Sequence, residues 1–342
     1  MGEPHFLVVR LGSLGDIVHT FPAVAALHES FPAPHIVWIT HPRWKMLVES
    51  SGLASVVMTV ETRSLSSLRE AMRQVRKSRW DASIDYQGLW KSAALPFLGG
   101  VKRRIGFSSQ TIREFGVPTL YTESVRTSKA HIAEQNGELS QRAGSKRVAA
   151  PVTLQISEQD QATLSQYRRE HGVDRYIVLS PGGGWRSKCW PAERFGALCR
   201  KIHESLGFRC VVNIGPGEED LAAAVRAASG ETRPLVYQSS LGQLMALLRG
   251  AACVVGGDTG PLHLAVALGT KTVALFGPTN PARNGPYRGP EPAAAGVCRD
   301  IVLRAPAVQT THKRGAQPDA SMLAIDVEAV FDAVRRFAGE CP

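Results

Sequence analysis

Short apolar runs, each closed by glycine or proline, recur along the chain and predict strands. In the first half they cover His5–Arg10, His35–Thr40 and Ala82–Tyr86. In the second half they cover Tyr176–Ser180, Cys210–Ile214, Ala252–Gly256 and Thr272–Phe276. Helical spacing lies between them. Leu65, Leu68, Met72 and Val75 form one stripe, and Arg69, Arg73 and Arg76 form another, which predicts an amphipathic helix from Arg63 to Arg79. Further helices are expected from about Asp16, over 157–172, from about Ala192, from Glu218, near Pro261, and over Ala324–Phe337. Strands alternating with helices imply α/β architecture with parallel sheets. The pattern restarts after 157–172, so two Rossmann-like domains are expected, at residues 1–155 and 156–325. The terminal helix, 326–342, is available to pack back on the first domain. Ligands of such domains sit at the carboxyl ends of the strands, and two domains facing across a cleft offer a small-molecule site.

Composition narrows the class. The chain has 342 residues, 44% hydrophobic and 20% charged, which suits two globular cores and argues against long disorder. No apolar run reaches membrane-spanning length. The opening FLVVRL reads as a strand, so no signal peptide is expected. Six cysteines form no C-x-x-C pair, and a reducing, cytoplasmic setting follows. Net charge is +10. Residues 1–150 hold 19 Lys and Arg against 12 Asp and Glu, so this half should attract polyanions. Nucleic acid is one such polyanion, but aromatics are only 7% and no nucleic-acid module is present.

Four segments combine glycines with charge. Arg10-Leu-Gly-Ser-Leu-Gly-Asp16 follows a strand and opens a helix. Asp16 there can take a proton from a hydroxyl, or it can simply stabilise its helix start. Ser180-Pro-Gly-Gly-Gly184, through Lys188, exposes backbone N–H groups to an anion and adds a positive charge; a plain glycine turn is the alternative. It is not a P-loop, because Ser187 stands where the second glycine belongs. In Val255-Gly-Gly-Asp-Thr-Gly-Pro-Leu-His263, Asp258, Thr259 and Gly260 gather at a helix N-terminus. The Thr259 hydroxyl and the amides there can hold a diphosphate oxygen. Asp258 would by itself repel phosphate, which suits it better to fixing the loop or meeting a sugar hydroxyl. His263, one turn in, is either a packed core histidine or a ligand contact. Gly215-Pro-Gly-Glu-Glu219 places carboxylates just past a strand, where they can accept from ribose hydroxyls. An acidic first turn is the ordinary alternative.

Together these segments resemble glycosyltransferase family 9, the lipopolysaccharide heptosyltransferases, from about Phe6 to about Tyr287. VVGGDTGPLHLAVALGTKTVALFGPTNP carries the family's D-T-G-x-x-H and F-G-P-T-x-P patterns, and RLGSLGDIVHTFPAVAAL its N-terminal segment. DYQGLWKSA with RRIGF resembles its acceptor-side segment. TIREFGVPTLY followed by HIAEQN looks closer to the first heptosyltransferase than to the second. A departure lies at residues 305–323, which contain none of the cysteines many relatives carry.

The resemblance implies the GT-B fold and an inverting transferase needing no metal or cofactor. Asp16 would be the base. Lys188, Asp258, Thr259, Gly260, His263 and Gly184 would hold the donor's diphosphate and sugar. Glu219 would meet its ribose, with Glu218 the register alternative. Lys91, Arg113 and Arg63 would lie on the acceptor side. The implied donor is ADP-L-glycero-D-manno-heptose. The implied acceptor is Kdo-lipid A, met peripherally at the inner leaflet of the inner membrane. Another family 9 transferase, with a different donor or acceptor, shares every one of these residues.

Overall fold

The computed structural model describes residues 3–112, 114–290, 298–306, 310 and 315–338. The chain divides between Gln155 and Ile156 into two units, and a short segment from Arg288 groups with the first. Each unit carries its own six-stranded sheet.

The first sheet comprises β1 (His5–Val9), β2 (His35–Thr40), β3 (Val56–Thr59), β4 (Ala82–Asp85), β5 (Arg104–Phe107) and β6 (Glu123–Val125). Its order is β3-β2-β1-β4-β5-β6, with every pairing parallel. The second comprises β7 (Tyr176–Ser180), β8 (Arg209–Ile214), β9 (Leu235–Gln238), β10 (Cys253–Gly257), β11 (Thr272–Phe276) and β12 (Asp300–Arg304). Its order is β12-β11-β10-β7-β8-β9, again parallel throughout. Read from its own first strand, the second sheet repeats the order of the first. In both, the chain runs outward one way, returns to the centre, and continues the other way. That reversal opens a crevice between β1 and β4, and another between β7 and β10.

The crossovers of the first unit are α1 (Leu14–Val18), α2 (Phe21–Ser30), α3 (Lys45–Ser50), α4 (Leu65–Lys77), α5 (Trp90–Leu98) and α6 (Ile132–Arg142). The second unit adds α7 (Glu158–Glu170), α8 (Ala192–Leu206), α9 (Glu219–Ala228), α10 (Leu241–Arg249), α11 (Gly260–Ala267), α12 (Pro281–Asn284), α13 (Ala320–Leu323) and α14 (Val327–Ala338). Helices cover both faces, so the central strands are largely apolar and buried; β4, β7, β10 and β11 are buried at every position.

Three sequence expectations differ from the structure. Leu65 was placed in the apolar stripe of α4, but it is 71% exposed; the buried face is carried by Ala71 and Val75, with Leu68 and Met72 packed at its edge. Where one helix was expected over Ala324–Phe337, α13 ends at Leu323 and only α14 follows within that range, starting at Val327. Asp319 caps the first through the Ser321 amide (2.9 Å), and Asp326 restarts the second through the Ala329 amide (2.7 Å), each carboxylate satisfying a helix-start donor. Finally, α14 is seated on the second unit's own sheet. Its Val330, Phe331, Val334 and Phe337 join Trp190, Phe195 and Leu275 in one core.

Because α14 supplies core rather than cover, Phe331→Ala should cost about 3 kcal/mol. Urea unfolding should show a lowered midpoint; an unchanged midpoint would show α14 to be dispensable.

Candidate active site

In the first unit the crevice is walled by the loop after β1 and the loop after β4. Asp16 occupies the first turn of α1. Its Oδ2 accepts from both the amide and the hydroxyl of Ser13, each at 3.0 Å. Its Oδ1 meets Arg10 Nη2 at 2.8 Å, and the side chain stays 45% exposed. Partial desolvation pushes the Asp16 carboxyl up, but the Arg10 charge and the Ser13 bonds outweigh it and hold the group below the usual carboxylate range. Arg10 is itself buried and donates to the carbonyl of Tyr86, so the base candidate is fixed to the end of β4. The Leu11 amide donates to Gln87 Oε1 at 2.7 Å, a second tie between the two loops.

Beneath that wall lies a carboxylate that the sequence reading did not single out. Asp85 is fully buried at the end of β4. Its Oδ1 accepts from the amides of Gln87 (2.9 Å) and Gly88 (3.2 Å). Its Oδ2 accepts from Ser92 Oγ (2.8 Å) and Tyr121 Oη (2.7 Å). Burial pushes this carboxyl up against the pull of those bonds. The signal was available: an Asp closing an otherwise apolar strand must find donors locally. Gly88 is required above it, with φ at +68° and a Cβ that would come 2.7 Å from Ile112. Lys91 stands exposed on the first turn of α5. Arg63 is exposed in the turn before α4. Arg113 lies outside the described residues.

In the second unit the crevice is lined by the loops after β7 and β10, and the structure gathers most of the expected donor residues there. Lys188 Nζ donates to the Asp258 carbonyl (2.7 Å) and to Asp258 Oδ2 (3.2 Å). It lies 4.8 Å from the Trp185 ring centroid. Asp258 Oδ1 meets His263 Nε2 at 3.0 Å. Burial pushes the Asp258 carboxyl up, but the His263 hydrogen bond and the Lys188 charge drive it far below its ordinary value. Its negative charge is thereby committed to Lys188 and His263, which removes much of its repulsion toward a phosphate. Gly257 lets this happen, since a Cβ there would stand 3.0 Å from the Lys188 carbonyl.

Thr259 is the N-cap of α11, yet its side chain bonds no helix amide. Its Oγ1 is buried without a hydrogen-bond partner among the described residues, and so are Ser180 Oγ and Thr279 Oγ1. All three sit at carboxyl ends of neighbouring strands, on β7 and just past β10 and β11. Orphaned hydroxyls beside a helix N-terminus and a lysine suit an oxyanion. Gly183 packs against the Thr259 methyl, with 3.1 Å from a built Cβ, while Gly184 faces open space. The two carboxylates past β8 diverge. Glu218 accepts from the Gly215 amide at 2.7 Å and lies against Gly182. Glu219 turns to Gln238 Nε2 at 3.0 Å.

Comparison with known proteins identifies the family. Residues 68–298 match glycosyltransferase family 9 (heptosyltransferase). The chain belongs to this family. It is a glycosyltransferase of the GT-B fold. It is 29% identical over 294 residues to lipopolysaccharide heptosyltransferase 1 of Escherichia coli, covering 82% of this chain and 90% of that one. Among solved structures it is similar to a family 9 glycosyl transferase from Veillonella parvula, with TM-score 0.83, 23% identity, and coverage of 100% and 99%. It is also similar to the ADP-heptose lipopolysaccharide heptosyltransferase II of E. coli, with TM-score 0.80, 19% identity, and coverage of 98% and 99%. Among the described residues of this family 9 chain, no cluster of His, Cys, Asp and Glu could hold a metal ion, and no helix is long and apolar enough to cross a membrane.

Removing half of the buried pair leaves Lys188 without its counter-charge, so Asp258→Asn should destabilise by about 3 kcal/mol at neutral pH. The folded-state pKa of Asp258 is depressed, so its contribution is complete above the unfolded value near 4 and drains away as pH falls below that. The gap between parent and variant should therefore narrow in acid melts; a gap independent of pH would show the pair to be idle. Thr259→Val should leave the melting temperature unchanged or raise it, since its hydroxyl loses no partner. A drop of several degrees would reveal a bond in the unliganded protein.

Proposed function

We propose that this family 9 enzyme transfers heptose, with inversion, from ADP-L-glycero-D-manno-heptose to the Kdo-lipid A inner core of lipopolysaccharide. The work would be done peripherally at the cytoplasmic face of the inner membrane. The observation that carries the reading is the oxyanion cradle of the second unit: Lys188, the orphaned Thr259 hydroxyl, and the amides opening α11. A diphosphate leaving group needs such donors where charge develops. Lys188 has three N–H donors and spends two on Asp258, so it can still turn one to a diphosphate oxygen. Gly184 and Gly260 let the backbone approach that ligand. Asp258 and His263 act through one another, keeping the lysine aimed and meeting the donor sugar from the same turn. Of the two carboxylates past β8, Glu218 is the better ribose partner, because it lies on the glycine loop while Glu219 is engaged outward.

Asp16 is the base in this mechanism. The Arg10 ion pair keeps it ionised, and its exposed edge can take the proton of the attacking hydroxyl as the bond to ADP breaks. Lys91, Arg63 and Arg113 provide cations for the acceptor's carboxylates and phosphates. The sequence likeness to heptosyltransferase 1 favours the first heptose addition. A second reading is transfer by the same machinery to another acceptor, since heptosyltransferase II shares the fold and lies in the same family.

Incubation with ADP-heptose and Kdo-lipid A should yield, by mass spectrometry, a product heavier by one heptose. No product there, with transfer onto an already heptosylated core, would select the second reading. Asp16→Ala should reduce kcat by roughly 10²–10⁴-fold while calorimetric ADP affinity is kept. Since the Asp16 pKa is depressed, the acid limb of kcat/KM attributable to it should lie below about 4. Lys188→Ala should weaken ADP binding by about tenfold or more. Equal affinity in that variant, or tighter binding of UDP than ADP, would remove the donor assignment.

A further inference from the structure

The outward face of α5 is apolar, which is the reverse of what a surface helix needs. Trp90, Ala94, Phe97 and Leu98 follow the spacing of one helical face, yet Trp90, Phe97 and Leu98 are between 44% and 47% exposed. The opposite face is the one that packs, through Ser92, Ala93, Leu95 and Pro96. Phe115 continues the apolar face. It is 99% exposed and adjoins Gly116, against which the Trp90 ring rests (3.0 Å from a built Cβ).

A cationic margin borders this face. On α4, Leu65, Arg69 and Arg76 fall within about 40° of one another around the axis, and Leu65 is thus exposed among arginines. Arg76 donates to the Leu98 carbonyl through Nε (3.0 Å) and Nη2 (2.8 Å), which joins that stripe to the end of α5. The Arg104 guanidinium lies 5.3 Å from the Phe97 ring centroid, and Lys102 is exposed beside it. Carboxylates at the margin are already engaged: Glu70 with Arg73 at 2.9 Å, and Glu114 with the Trp90 amide at 2.7 Å.

We infer that the α5 face, with Phe115 as its wedge and the α4 arginines as its rim, docks this unit onto an anionic lipid surface. Exposed aromatics enter the boundary between headgroups and acyl chains, and Arg and Lys stems reach from the apolar zone to the phosphates. A fully exposed Phe at a loop tip suits a fluid partner that closes around it. The inference rests on the proposed peripheral membrane location, names the surface that makes the contact, and is tested without either substrate.

The full chain is sedimented with vesicles of phosphatidylglycerol and phosphatidylethanolamine, and with vesicles of phosphatidylcholine. It should pellet with the anionic vesicles, less so as salt rises, and poorly with the neutral ones. Two variants share the test: Phe97→Ser/Leu98→Ser/Phe115→Ser, and Arg69→Glu/Lys102→Glu. Each should lose about tenfold or more in partitioning, with unchanged melting and unchanged ADP affinity. Parent protein that pellets equally with both vesicle types, or with neither, overturns the inference and leaves the face to a protein partner. So does undiminished pelleting of the triple variant. Either result also removes the peripheral membrane contact from the proposed function; the donor and acceptor assignments are decided separately, by the transfer assay that contains both substrates.

Discussion

A reversal of winding direction at the centre of each parallel sheet is the constraint on which the rest depends. Two neighbouring strands, β1 with β4 and β7 with β10, send their chains away in opposite directions. Between their carboxyl ends no crossover can fill the gap. Backbone donors and helix N-termini point into it, and side chains placed just past those strands are held by the stiffest part of each unit. Asp16, Lys188, Asp258 and Thr259 all occupy such positions. The same geometry used twice gives one unit an ionised carboxylate and the other a cluster of donors.

Charge in both crevices is managed by pairing. Asp16 is bound to Arg10, and Asp258 to Lys188 and His263. The two pairs differ in what they leave accessible. Asp16 keeps an exposed edge, so its charge can be used on a substrate. Asp258 is buried, so its charge is spent on holding the lysine and the loop. The hydrogen bonds of Asp258 tie it to Lys188 and to His263 Nε2, and so hold the loop after β10.

Strands were legible in the sequence where they were apolar on both faces. His35–Thr40, Tyr176–Ser180 and Thr272–Phe276 end where they were expected. The sheet edges were not: β3, β6, β9 and β12 are part-exposed, so they lack the continuous buried apolar run that marks a central strand. α4 was found from its period, but periodicity alone could not say which flank would be buried, and Leu65 fell on the wrong side. Of the site, the glycine loops and the charged residues beside them were readable, because glycine after a strand has few other uses. Long-range partners were not. Nothing local in Arg10 announces Tyr86, and nothing in Asp85 announces Tyr121.

That buried Asp85 carboxylate separates two kinds of residue on the wall of the first unit's crevice. The backbone of Gln87 and Gly88, the start of α5 and the turn carrying Tyr121 are stapled from below. The side chains pointing away from the staple carry none of that burden. Such a wall can exchange its outward residues, and with them the molecule it prefers, without losing its contour. The division would let one scaffold be retargeted to new saccharide surfaces by a few outward substitutions, while any change to Asp85 itself would deform every version alike.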